Sequence, residues 1–311
     1  MAAASARLPT APEQHWALPD PAATLLPGTA AARRRVFWRA LAAGALVLGA
    51  WGFLATAFPQ PQLISRFLVF GALFVPVLFV WFMTTLGGAE EPPAILLVEV
   101  FAVVALGGNL AAVLLNSTLP FGAWGAGPIE EGVKFAGVVW LLRRRRYVSI
   151  TDGVLFGAAA GMGFAASENL SYFFTAFSRA GVAAVLAHPQ ASVAQALAVY
   201  AQAGNAGLWQ VVWVRSLLGP FMHGAWTAII AGTAWREAGA ARPRVDARLV
   251  ATFVLVAAMH SAWDLSGGVA SLALMPVIVV VDVVFLRRLL FEAHRREAAL
   301  AGPGGVGGAA S

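Results

Sequence analysis

The chain has 311 residues, of which 59% are hydrophobic and only 12% charged, with no cysteine and a formal net charge of +6. Soluble domains carry about 25% charged residues, so this composition, with its long uncharged apolar runs, excludes an ordinary soluble fold and places the chain in a lipid bilayer. The lack of cysteine excludes disulfides, thiolate metal ligands and a cysteine nucleophile, and arginines that punctuate apolar runs argue against nucleic acid as a partner.

Residues 1–35 carry Pro9, Pro12, Pro19, Pro21 and Pro27 among small residues and lack a signal-peptide pattern, which predicts a disordered cytoplasmic tail. Arg33, Arg34, Arg35 and Arg39 precede the first apolar stretch, 40–58, and the positive-inside rule puts this end in the cytoplasm. Further spans are predicted at 67–87, 94–116, 122–142, 152–177, 207–235, 249–266 and 269–290. The expected fold class is an all-α polytopic membrane bundle of about eight helices with both termini inside. Arg143 to Arg146, then Arg236, Arg242, Arg244 and Arg248, then Arg287, Arg288, Arg295 and Arg296 follow even-numbered helices, as that topology requires. The loop at Glu90 and Glu91 has no basic residue and departs from the pattern. Segment 179–206 is too interrupted to span, and Val193 to Tyr200 fits either an amphipathic helix on the outer surface or an ordered loop. The membrane domain is 36–292, and 293–311 is a flexible cytoplasmic tail ending in glycines. The Ala, Gly and Arg bias points to a bacterial plasma membrane.

Charges near mid-bilayer cost roughly 3–10 kcal/mol each, so such residues mark functional sites by default. Four places break the apolar rule: Glu130, Glu131 and Lys134, the only lysine; Glu168 and Asn169 with Tyr172; His223; and His260 with Asp264. At ~1.5 Å rise per residue, all of them lie about 18–24 Å from the cytoplasmic ends of their helices, on one level. Glu130 and Lys134, Glu168 and Tyr172, and His260 and Asp264 are each four apart and share a face. The carboxylate beside His260 can fix its tautomer, or both can hold one metal. Gly127-Pro128 and Gly219-Pro220 precede Glu130 and His223, and each proline frees a carbonyl one turn earlier. Glu99 and Asp282 lie near the cytoplasmic edge and are expected to pair with arginines. Arg215 is expected to snorkel at the outer boundary.

The ordered set Glu130-Glu131-x-x-Lys134, Phe164-x-x-x-Glu168-Asn169 with Tyr172, His223 and His260-x-x-x-Asp264 resembles the PrsW intramembrane proteases, relatives of the CAAX-processing glutamic peptidases. The resemblance covers roughly 122–266. It departs from the CAAX relatives, which have Glu-Glu-x-x-x-Arg and Phe-x-x-x-His, so prenylated substrates do not carry over. It implies a peptidase acting on transmembrane protein substrates, including anti-sigma factors.

The motifs of zinc site-2, presenilin and rhomboid proteases are absent from the sequence, which leaves two chemistries. In a metal-free glutamic mechanism, Glu130 or Glu131 is the base beside Lys134, and His223, His260 and Asn169 donate to the oxyanion. In a zinc mechanism, His223, His260 and Glu168 or Asp264 ligate the ion and the first glutamate pair activates its water. From other functional classes, a proton- or ion-coupled transporter uses similar buried acids and bases, and a non-catalytic scaffold binding a transmembrane partner is the third reading.

Overall fold

Apolar runs bounded by proline, serine and aspartate dictate helices, and the computed structural model describes residues 30–86, 92–143, 149–238, 245–266 and 269–301 as a wholly helical bundle. In chain order these are α1 (Ala30–Ala57), α2 (Pro61–Thr84), α3 (Ala94–Val103), a π turn (Val104–Gly108), α4 (Asn109–Thr118), α5 (Gly122–Leu142) and α6 (Ile150–Leu186). They are followed by α7 (Val193–Leu218), a 3-10 turn (Gly219–Phe221), α8 (His223–Ala238), α9 (Ala247–Ser266) and α10 (Val269–Ala301). Ser149 with Asp152, and Ser192 with Gln195, form capping boxes that start α6 and α7 by satisfying their first amides.

Five helices among the described residues are long and apolar enough to cross a membrane: Ala32–Ala57, Pro61–Thr84, Ala94–Thr118, Ile150–Leu186 and Ala247–Ser266. Leu46, Leu106 and Trp124 are more than two thirds exposed, as side chains facing lipid are. This is a multi-pass membrane protein. Residues 1–29 of the expected amino-terminal tail, Glu90 and Glu91, Arg144 to Arg146, Arg242, Arg244 and the tail from 302 lie outside the described residues. Helix α1 already includes Arg33 to Arg35, and α10 continues past 292, so helix extends beyond both expected domain edges.

Two expectations are corrected. The span predicted at 207–235 is two helices, because a proline at 220 supplies no amide to continue the first; the chain makes a 3-10 turn there and restarts at His223. Segment 179–206, expected to interrupt the spans, is the end of α6 and the first half of α7 packed together as a hairpin; 193–200 within it is helical, the first of its two expected forms, and mostly exposed. The polar interruptions that lower its hydropathy do not lower helix propensity in so alanine-rich a stretch. Gly181 admits the Tyr200 ring and Gly204 admits Phe177, which seats the two helices closely.

Helix α6 is the hub, packing most extensively on α8 and α7 and also on α2 and α3. Its residues 150–166 are buried throughout. Gly153, Gly157 and Gly161 recur every four residues, and a Cβ at each would strike the backbone carbonyls of Ala231, Thr227 and His223 in turn. This stripe lets α8 lie against α6 and so fixes His223. Gly161→Ala is therefore expected to destabilise the protein by about 1–3 kcal/mol and to displace His223. Gly49→Ala, into open space, should be neutral or slightly stabilising. Thermal unfolding of the two variants in detergent checks the contrast.

Candidate active site

The site begins with the kink in α5. Pro128 leaves the Trp124 carbonyl without its helical donor, and Ser261 Oγ donates to that oxygen at 2.9 Å. Gly127 has no room for a Cβ against the Ala257 carbonyl and Ser261, so α5 and α9 meet backbone to side chain at this point. The contact sets His260, one residue earlier on α9, beside the two glutamates of α5.

Glu131, fully buried, is a junction. Its Oε1 accepts from Lys134 Nζ at 2.7 Å and from His260 Nδ1 at 2.9 Å, and its Oε2 accepts from Thr227 Oγ1 at 3.1 Å. Lys134 thus pairs more closely with Glu131, three residues away, than with Glu130, four away, where the separation is 3.9 Å. Lys134 Nζ also lies 2.8 Å from His223 Nδ1 and 4.3 Å from the centre of the Phe164 ring. An amine nitrogen of this kind offers only protons, so His223 Nδ1 accepts and Nε2 carries the hydrogen, which points to Glu168 Oε2 at 2.9 Å.

The same Glu168 oxygen is also held by Arg215 Nη2. That guanidinium also donates from Nε to Asn169 Oδ1 at 2.7 Å and lies 3.9 Å over the Tyr172 ring. Arg215 is therefore a site residue, engaged with Glu168, Asn169 and Tyr172 rather than reaching for water. A buried charge needs a partner whether its side chain is long or short, and Arg215 finds two of them on α6. Asn169 uses its carbonyl oxygen to hold Arg215.

Glu130 is placed differently from its neighbour. Its Oε1 accepts from Asn116 Nδ2 at 3.3 Å, whereas its buried Oε2 has no hydrogen-bond partner among the described residues. That oxygen lies 3.5 Å from His260 Nε2, which is in turn 3.5 Å from Asp264 Oδ2. With Nδ1 of His260 donating to Glu131, a neutral ring would turn the Nε2 lone pair toward two carboxylates. Three acceptors facing one another need a positive charge between them, either a proton on Nε2 or a metal ion.

The eight sequence-predicted residues, Glu130, Glu131, Lys134, Glu168, Asn169, His223, His260 and Asp264, thus form one continuous network. Its metal-competent part is Glu130, His223 and His260, each offering a ligand atom within 4.8 Å of the others. The carboxylate in that trio is Glu130; Glu168 is engaged by Arg215 and His223. One carboxylate and two imidazoles suit a catalytic divalent ion, and the orphaned Glu130 oxygen is the kind of atom such an ion satisfies. His223 would exchange one of its two present partners to join.

Asn116, Thr227 and Trp226 carry no charge and gave no signal in the sequence, yet Asn116 and Thr227 each bind a glutamate. Trp226, fully buried, packs its ring 4.8 Å from that of His260 and 6.0 Å from that of His223. Asp282 is also corrected: it is 1% exposed, with neither carboxylate oxygen hydrogen-bonded among the described residues, and the Trp226 indole lies beside it. Helix α10 packs on α8, and Asp282 turns toward that contact rather than to an arginine.

A family model described as PrsW family intramembrane metalloprotease matches residues 75–288, which contain this whole network. No curated protein and no solved structure matches the chain.

Proposed function

The chain belongs to the PrsW family of intramembrane metalloproteases, and we propose that it hydrolyses a peptide bond of a membrane-embedded protein substrate at the Glu130, His223 and His260 cluster. The observation that carries this reading is the meeting of Glu130, His223 and His260, all buried, each offering a ligand atom within 4.8 Å of the others. Glu130, His223 and His260 would hold a divalent ion, zinc being the ion this donor set suits. When bound there, such an ion activates water and polarises a carbonyl.

The remaining residues divide the other tasks. Glu131 fixes the His260 tautomer and, with Lys134 and Thr227, is committed to holding the cluster in shape. Asp264, the least buried of the carboxylates, is placed to take a proton from water and return it to the leaving amine. Glu168, anchored by Arg215, orients His223. A pocket of about 280 Å³ is lined by Gln210, Val211, Val214, Met222 and Trp263 together with Tyr172 and Arg215 of the network, and its largely apolar walls suit a substrate segment leaving the bilayer.

An anti-sigma factor, the substrate implied by the family resemblance, is of this class. The transporter reading uses the same buried acids and bases but offers no account of the family match. Incubating purified protein with a transmembrane reporter and weighing the products tests the proposal. One defined cleavage is expected; an intact reporter, with proton flux across proteoliposomes, would favour the transporter.

A smaller effect is expected at Arg215. Arg215→Gln should leave the Glu130 and His260 geometry in place but free Glu168, lowering turnover by about tenfold to a hundredfold, the usual range for a group that orients a ligand. Reporter kinetics with a circular-dichroism check of folding measure it.

A further inference from the structure

At the far end of the bundle from Arg215, α8 ends, α9 begins and the second half of α10 packs against both. A cleft of about 960 Å³ opens there, outside the network described above. Its rim carries five arginines, Arg236 from α8, Arg248 from α9 and Arg288, Arg295 and Arg296 from α10, against a single acid, Glu292. Its wall is apolar, with Ala251, Leu255, Phe285 and Leu289 below the charged rim.

The rim is organised. Glu292 binds Arg236 and Arg296, each at 2.7 Å, and Arg296 also donates to the Arg236 carbonyl at 2.9 Å, which ties the end of α8 to α10. Arginines serving only as topology signals need not surround a concavity or meet an apolar wall. Helix α10 has 33 residues, about 50 Å of helix against a hydrocarbon core of about 30 Å, and its arginines all fall in its second half, as in a helix whose last turns meet lipid headgroups. The cleft therefore straddles the boundary between headgroups and tails.

We propose that this cleft binds an anionic glycerophospholipid, its phosphate held by the arginine rim and an acyl chain lying along Leu255, Phe285 and Leu289. Guanidinium groups suit phosphate oxygens in paired contacts, and basic clefts at helix ends accept anionic headgroups where the adjoining wall takes the tail. A free phosphate shares the charge but has no use for the apolar wall. Because α8 and α9 carry His223 and His260, an occupied cleft would brace both helices.

The test is thermal unfolding of the full chain, purified in a neutral detergent, with added phosphatidylglycerol, phosphatidylcholine or inorganic phosphate. Phosphatidylglycerol is expected to raise the midpoint saturably by about 3–6 °C, and the other two to leave it within about 1 °C. The paired substitution Arg288→Gln and Arg295→Gln, both at exposed positions, should abolish the phosphatidylglycerol shift, while Arg143→Gln, an arginine away from the cleft, should keep it. If the pair does not fold, Arg295→Gln alone should weaken the lipid's half-saturation at least threefold. A lipid shift that survives the cleft substitutions, or is absent from the wild type, overturns the proposal. A full shift with inorganic phosphate overturns the lipid assignment in favour of an anion site.

Discussion

Glu130→Gln should abolish cleavage of a transmembrane reporter, by on the order of 10³-fold or more, while leaving the unfolding midpoint nearly unchanged. The amide keeps the shape of the side chain, and its carbonyl oxygen can still accept the single contact from Asn116. What it loses is the oxygen that has no hydrogen-bond partner and faces His260, the atom whose only evident use is to meet a cation or a reacting proton. Glu131→Gln should also impair activity, but through the fold: its carboxylate receives protons from Lys134, His260 and Thr227, and an amide cannot accept from all three. Activity loss with normal melting at 130, and activity loss with lowered melting at 131, is the expected pair. Equal melting losses at both positions would contradict the division of roles.

The second large effect is expected at Lys134. Removing it as Lys134→Ala leaves Glu131 as a fully buried carboxylate without its 2.7 Å partner and takes the donor from His223 Nδ1. Breaking one side of such a pair costs about 3–5 kcal/mol, which should lower the unfolding midpoint by on the order of 10 °C. Lys134→Arg should recover only part of this, because a planar fork does not fit where a single nitrogen meets Glu131, His223 and the Phe164 ring. Removing both partners in Glu131→Gln with Lys134→Met should restore much of the stability without restoring turnover, since His260 still lacks its orienting carboxylate. Melting and reporter cleavage measured on the three variants check this. Recovery of both properties in the double variant would mean that the pair has no part in positioning His260.

Much of the site was legible because burying charge in lipid is so costly that each acid or imidazole in an apolar run must have a partner. That argument located Glu130, Glu131, Lys134, Glu168, His223, His260 and Asp264, and the carbonyl that Pro128 was expected to free is the one Ser261 of α9 takes, a partner the sequence did not indicate. It failed where side-chain direction decides. Spacing alone cannot tell that Lys134 turns to Glu131, that Glu130 and not Glu168 completes the trio, or that Asp282 turns inward toward Trp226. Arg215 was missed because its long side chain was expected to snorkel to water. The hairpin of α6 and α7 was missed because hydropathy reports transfer into lipid, whereas its glycine-aromatic contacts are a matter of packing.

The central claim, that Glu130, His223 and His260 form one ion-dependent hydrolytic centre, is tested most directly by metal stoichiometry and turnover on the same sample. Purified protein stripped with a chelator should lose reporter cleavage and regain it with about one equivalent of zinc, and His260→Ala should neither retain the ion nor recover. Undiminished cleavage by protein shown to be metal-free by elemental analysis would contradict the claim and return the reaction to a glutamate and two imidazoles acting alone.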